Sequence, residues 1–229
     1  MSDQTELLND MERLVQDVFE RTRFAKTEMC KDEPMSDTPP LMLVAYDKVT
    51  LDGEEVAPFG YEVKDGTTTG YEVAMIPLVH RDDVLDAYED VVRAMPIRPF
   101  SFIVVCVEGY TRSAENMNAE EVQQLSTTER GAMEKDYKEN PFTDVREGII
   151  VTAINGDATH ISNSFCTYTY DDHGLPTYSE VHHDVQEIKE GQEMGRLMDL
   201  LVATCQYMKM AQVMEKFASH LDKFTKKED

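Results

Sequence analysis

Between residues 147–154 (EGIIVTAI) and the Thr-, Ser- and Tyr-rich run 158–170 stands the pair Asn155–Gly156. Asn-Gly between two strand-forming runs is the strongest short-range hairpin signal in a sequence. A two-residue type I′ turn needs positive φ at both central positions, and these residues tolerate it. The pair commits this part of the chain to antiparallel pairing. A second turn at residues 171–176 (DDHGLP) leads into a further strand at 177–184, so a meander is expected from 147 to 184. Upstream, residues 100–107 (FSFIVVCV) are apolar on both alternating faces. That is the pattern of a central strand covered on both sides.

Weaker strand signals lie at 41–47 (LMLVAYD), 55–63 and 70–78 (GYEVAMIPL). Pro58 and Gly60 mark the second of these as an edge or a bulge, and Asp65, Gly66 and Thr67 read as the turn between it and the third. Apolar residues recur at helical spacing over 3–24, over 82–95 and over 190–224. The polar stretch from Met29 to Pro40, with three prolines, is expected to end the first helix and act as a linker. These elements predict one α+β domain spanning 1–229, a mostly antiparallel sheet with a long N-terminal and a long C-terminal helix packed around it. The polar segment 112–141 is expected to be an acidic, exposed and mobile insertion.

Charge narrows the function. The chain holds 45 Asp and Glu against 22 Lys and Arg, a formal charge of -23. Such a surface repels nucleic acid and anionic membranes, which argues against direct binding of either and favours a basic protein partner, cations or plain solubility; self-association is the other partner expectation. No run of 18 apolar residues suggests a membrane span. The opening residues Met1 to Glu6 lack the basic and apolar regions of a secretory leader. Cys30, Cys106, Cys166 and Cys205 stand at least 39 residues apart, with no C-x-x-C pair; Cys106 and Cys205, inside apolar runs, read as buried free thiols. A cytoplasmic location is the expectation.

One local enrichment could carry chemistry. His160, His173, His182 and His183 lie among Asp157, Asp171, Asp172, Glu180 and Asp184. Imidazole and carboxylate together suit a divalent metal. Alternation along a strand separates His182 from His183 but puts Glu180, His182 and Asp184 on one face, so these three are the candidate metal ligands. With the hairpin turning at His173, Phe165 falls opposite His182 and Ser164 opposite His183; a slip of one residue exchanges the pairs. No G-x-S-x-G elbow, phosphate-binding loop or dinucleotide fingerprint occurs, so no cofactor other than such a metal is indicated.

The Val-rich strand Phe102 to Val107, the phrase Asp144, Val145, Arg146, Glu147 running into Ile149 to Ile154, and the Thr/Tyr-rich strand ending in an acidic turn together resemble small uncharacterised α+β proteins of actinobacteria and their phages. The resemblance covers residues 100–180 and implies an accessory protein, with no catalytic residues to carry over. The leading expectation is a non-enzymatic acidic interaction or regulatory protein, one form of which is a DNA mimic on a basic partner. One alternative is a metal-assisted hydrolase using Glu180, His182 and Asp184. Another is an assembly protein that oligomerises through its C-terminal helix. At roughly 50 Å that helix is longer than a small sheet needs, and its distal residues Met208, Phe217, Leu221 and Phe224 are the candidate partner-binding set.

Overall fold

The computed structural model describes residues 2–51, 58–78, 98–112, 145–189 and 196–225, together with Tyr88, residues 90–93 and Met95. Its elements are α1 (Ser2–Asp32), β1 (Leu41–Leu51), β2 (Phe59–Lys64), β3 (Thr67–Pro77), β4 (Phe102–Arg112), β5 (Val145–Asn155), β6 (His160–Tyr170), β7 (Pro176–Tyr178), β8 (His182–Glu187) and α2 (Arg196–Thr225). The strands form one antiparallel sheet in the order β2-β3-β1-β4-β5-β6-β7, with β8 also paired to β6. The architecture is therefore α+β. The expected insertion at 112–141 lies outside the described residues but for Arg112, and the helix expected over 82–95 is described only at its helical residues Tyr88 and 90–93 and at Met95.

β4 takes the middle of the sheet because its first half is apolar on both faces. Phe102 to Cys106 are all buried. One face of the sheet packs against α1, where Met11, Leu14, Val15, Val18 and Phe19 meet Leu43, Val104, Val151 and Cys166. The opposite face packs Met42, Val44, Ile103, Val105 and Ile161 against Tyr88, Met95, Leu201, Cys205 and Met208. Each such side chain contributes about 1.5–3 kcal/mol of burial, so the sheet is held as the filling between two helical layers.

α1 runs on to Asp32, eight residues past the expected end. Its last third is polar in sequence yet buries one side of itself, at Lys26 and Cys30. Lys26 Nζ lies 2.8 Å from Glu108 Oε2 on β4 and donates to the Ser36 carbonyl. A partner on a distant strand thus extends the helix where local pattern stopped it.

Of the two hairpin turns, the one at Asp65–Gly66 stands where it was expected and the one at Asn155–Gly156 has a different geometry. The type I′ geometry sits at Asp65–Gly66, with φ of 52° and 81°, joining β2 to β3. At Asn155–Gly156 the positive φ falls instead on Ala158, at 54°. There the Ala158 N–H donates to the Asn155 carbonyl, and the Asn155 Oδ1 accepts the N–H groups of Thr159 and His160. The hairpin is real, but the asparagine serves through its side chain. β2 is an edge strand with a register shift between Phe59 and Glu62, so both readings of Pro58 and Gly60 hold.

α1 is clamped to the sheet near its start by Asp10. The carboxylate accepts hydrogen bonds from Tyr71 Oη at 2.6 Å, Lys48 Nζ at 2.9 Å and Arg13. Burial works to raise its pKa, but the bonds from Tyr71, Lys48 and Arg13 outweigh that and hold it below the ordinary 3.8. A lowered folded pKa means stability that is complete above the unfolded value and is lost as pH falls through the folded one. Asp10→Asn is therefore expected to lower stability at neutral pH by about 1.5–3 kcal/mol and to flatten the loss between about pH 5 and pH 2. Urea midpoints across that range read both effects; an unchanged acid slope would show that Asp10 does not carry it.

Candidate interaction surface

α2 changes character at Met208. Before it, the helix is tied to the end of the sheet: Tyr88 Oη donates to Thr204 Oγ1 at 2.8 Å, and the Cys205 thiol faces the Asn155 carbonyl at 3.7 Å. Burial pushes that thiol up to about 12, so it packs as an inert hydrophobe. The last tie is Lys209, whose Nζ donates to the Asp157 carbonyl and pairs with its carboxylate at 2.9 Å. Met208 is 1% exposed, and no residue from 209 to 218 is buried.

The exposed part is not polar. Tyr207, Met210, Val213, Met214 and Phe217 are 49–64% exposed. A helix turns by about 100° per residue, so Phe217, nine residues beyond Met208, points the opposite way from it. Tyr207, Met210, Met214 and Phe217 follow one another at spacings of three, four and three residues, which aligns them on one face. Leu221 and Phe224 take the next two places of the same spacing on a helix that continues to Thr225. α2 thus carries two apolar faces about half a turn apart: one spent on the sheet, one open.

The sequence-derived set divides accordingly. Met208 belongs to the core, Phe217 to the open face, and the side chains of Leu221 and Phe224 lie outside the described residues. Tyr207, Met210, Val213 and Met214 were missed. Their signal, the three-four spacing, is readable in the sequence but overlaps the end of the core stripe.

The candidate metal residues are placed differently. The strand expected at 177–184 is broken into β7 and β8, and Glu180 sits in the break. His182 stacks on Phe165 with ring centroids 4.8 Å apart, and Asp184 accepts a hydrogen bond from Gln186. The pairings Phe165↔His182 and Ser164↔His183 are those expected. Among the described residues no group of three or more His, Cys, Asp or Glu is arranged to hold a metal ion.

One constellation imitates a catalytic triad. Ser164 Oγ lies 2.7 Å from His183 Nδ1, and His183 Nε2 is 4.0 Å from Glu12 Oε1. The serine is 3% exposed, and the acid approaches the nitrogen that a hydrolytic serine would use. The group is a strap between β6, β8 and α1. The described helices include none long and apolar enough to cross a membrane. No family model matches the chain, and no curated protein or solved structure matches it.

Proposed function

We propose that the protein is a non-enzymatic interaction protein, of the accessory or regulatory kind, whose docking element is the distal half of α2. The observation that carries this reading is the apolar face formed by Tyr207, Met210, Val213, Met214 and Phe217, large side chains 49–64% exposed on the side of α2 turned away from the sheet. Contiguous exposed apolar surface of this kind marks an interaction site in soluble proteins, and methionine is well suited to it because its side chain repacks against varied shapes.

The acidic surface supports a role for charge in choosing the partner. Within the described residues Arg13, Arg21, Arg23, Lys26, Lys31, Lys48, Arg98 and Lys209 all pair with acids, and the chain still carries -23. A basic protein partner would be drawn to this excess.

The test is a chain ending after Lys209. Nothing from 210 to 218 is buried, so it is expected to keep its circular dichroism in the sheet region and to unfold within a few degrees of the full chain. It is also expected to lose association, with itself or with other proteins, read by light scattering and by co-purification at low and high salt. Association that survives the deletion would place the docking surface elsewhere.

A further inference from the structure

We propose that the occupant of this face is a second copy of the same helix, paired antiparallel about a two-fold axis between Met214 and Phe217. The proposal rests on the reading of α2 as the docking element and names its partner.

Residues 207–227 divide into three seven-residue units, YMKMAQV, MEKFASH and LDKFTKK. Tyr207, Met214 and Leu221 open the units, and Met210, Phe217 and Phe224 hold the fourth place in each. A three-four alternation holds an apolar seam on one side of a helix; α1 spends that spacing on the sheet through Leu7, Met11, Leu14 and Val18, and where α2 has left the sheet the surface that matches such a seam is another helix. Lys209, Lys216 and Lys223 recur at the third place of each unit, so the repeat extends to the polar side.

The seam is complementary to itself. Run antiparallel, it sets Met214 opposite the other copy's Phe217, Met210 opposite Leu221 and Tyr207 opposite Phe224. Every layer joins a larger ring or branched chain to a neighbour of comparable size, as an isologous interface requires. The places flanking the seam, Gln206, Ala211, Val213, Ala218, His220 and Thr225, hold no Lys, Arg, Asp or Glu that would select a different helix, and the two alanines leave room for close approach. Two helices paired along Tyr207 to Phe224 would bury on the order of 1,000 Å², the lower bound for a specific interface. A helix projecting without packing is marginal in water, and the pairing supplies the packing it lacks.

Charge selects the orientation. Residues 206–225 hold three lysines and two acids, so all of the chain's negative excess resides outside them. A parallel pair would bring two such bodies side by side. An antiparallel pair separates them by the length from Tyr207 to Phe224, about 25 Å, some three screening lengths at physiological salt.

The test uses the full chain. Sedimentation across concentration is expected to show a monomer–dimer equilibrium. Met214→Glu and Phe217→Glu are each expected to weaken it on the order of 100-fold or more, with melting unchanged at concentrations where the unaltered chain is also monomeric, because both side chains are exposed in the single chain. For orientation, M214C and F217C chains are prepared separately and mixed under mild oxidation. The four natural cysteines are buried and stay out of the reaction. The antiparallel register predicts a mixed M214C–F217C disulfide in excess over either homodimer; an excess of homodimers would overturn the orientation. A full chain that stays monomeric at every concentration would overturn self-pairing, yet leaves the docking reading standing if deletion after Lys209 abolishes capture of another protein. Dimers that survive both glutamates would overturn the seam itself.

Discussion

Glu108→Ala is expected to lower the stability of the fold by about 3–5 kcal/mol, enough to consume a large fraction of a typical domain's margin. The carboxylate accepts four donors: Lys26 Nζ at 2.8 Å, Tyr168 Oη at 2.9 Å, the Thr38 N–H at 2.9 Å and the Thr38 hydroxyl. Lys26 is 0% exposed, and its ammonium also lies 4.4 Å from the Tyr168 ring centroid. Removing the carboxylate leaves a buried cation with the Ser36 carbonyl, the Tyr168 face and Tyr170 but no counter-charge. Burial works to lower the lysine's pKa, but the bond to Glu108 and its charge outweigh that and hold it above 10.5. A raised folded pKa gives stability that is complete below the unfolded value and is lost as pH rises through the folded one. Lys26→Met is expected to cost less than Glu108→Ala, because the carboxylate would keep the two groups of Thr38 and the Tyr168 hydroxyl. The double variant Lys26→Met, Glu108→Leu is expected to recover most of the loss, as buried pairs replaced whole by apolar groups do. Urea unfolding of the four chains decides it. Equal losses in the two single variants would show that the asymmetry in donors does not matter.

The same pair shows why part of the fold is not legible locally. Lys26 and Glu108 are 82 residues apart, and a lysine in a polar run gives no sign that a carboxylate awaits it. The helix end was therefore placed eight residues early. Strands were more legible because their signal is their own: the two-faced apolar run at 100–107 became the central strand β4, and Pro58 and Gly60 marked an edge. The register of β6 against β8 followed from the turn at His173. What alternation could not supply was the break between β7 and β8, where the Thr167 N–H donates to the Ser179 hydroxyl, and that break takes Glu180 off the strand that would have aligned it with His182 and Asp184. The open face of α2 was half legible. Phe217, Leu221 and Phe224 were read as one stripe with Met208, although nine residues between Met208 and Phe217 amount to two and a half turns. A stripe that changes sides is two stripes, and the second has its own occupant.

Gly156→Ala is expected to destabilise by about 2–4 kcal/mol, and for a reason unrelated to φ. A Cβ at this position would stand 2.3 Å from the Phe100 carbonyl oxygen, an atom of the main chain that cannot rotate away. The glycine approaches that closely because its N–H donates to the Ser101 carbonyl at 2.8 Å, tying the β5–β6 turn to the segment leading into β4. Two residues on, Ala158 holds the left-handed conformation at φ 54°, which costs an alanine about 1–2 kcal/mol. Ala158→Gly is expected to recover up to about 1 kcal/mol after the entropy of the added glycine. The signs distinguish the turn geometries. A type I′ turn at Asn155–Gly156 would make Gly156→Ala cost about 1 kcal/mol, as strain in φ alone does, and would make Ala158→Gly unfavourable. Thermal unfolding of the two variants reads the difference. The turn also bears on the projecting helix, since the Asn155 carbonyl meets the Cys205 thiol and Asp157 holds Lys209 through both its carbonyl and its carboxylate. A hairpin tip braced against its own sheet is what gives α2 a fixed point from which to leave the domain, and so a defined direction in which to present its open face.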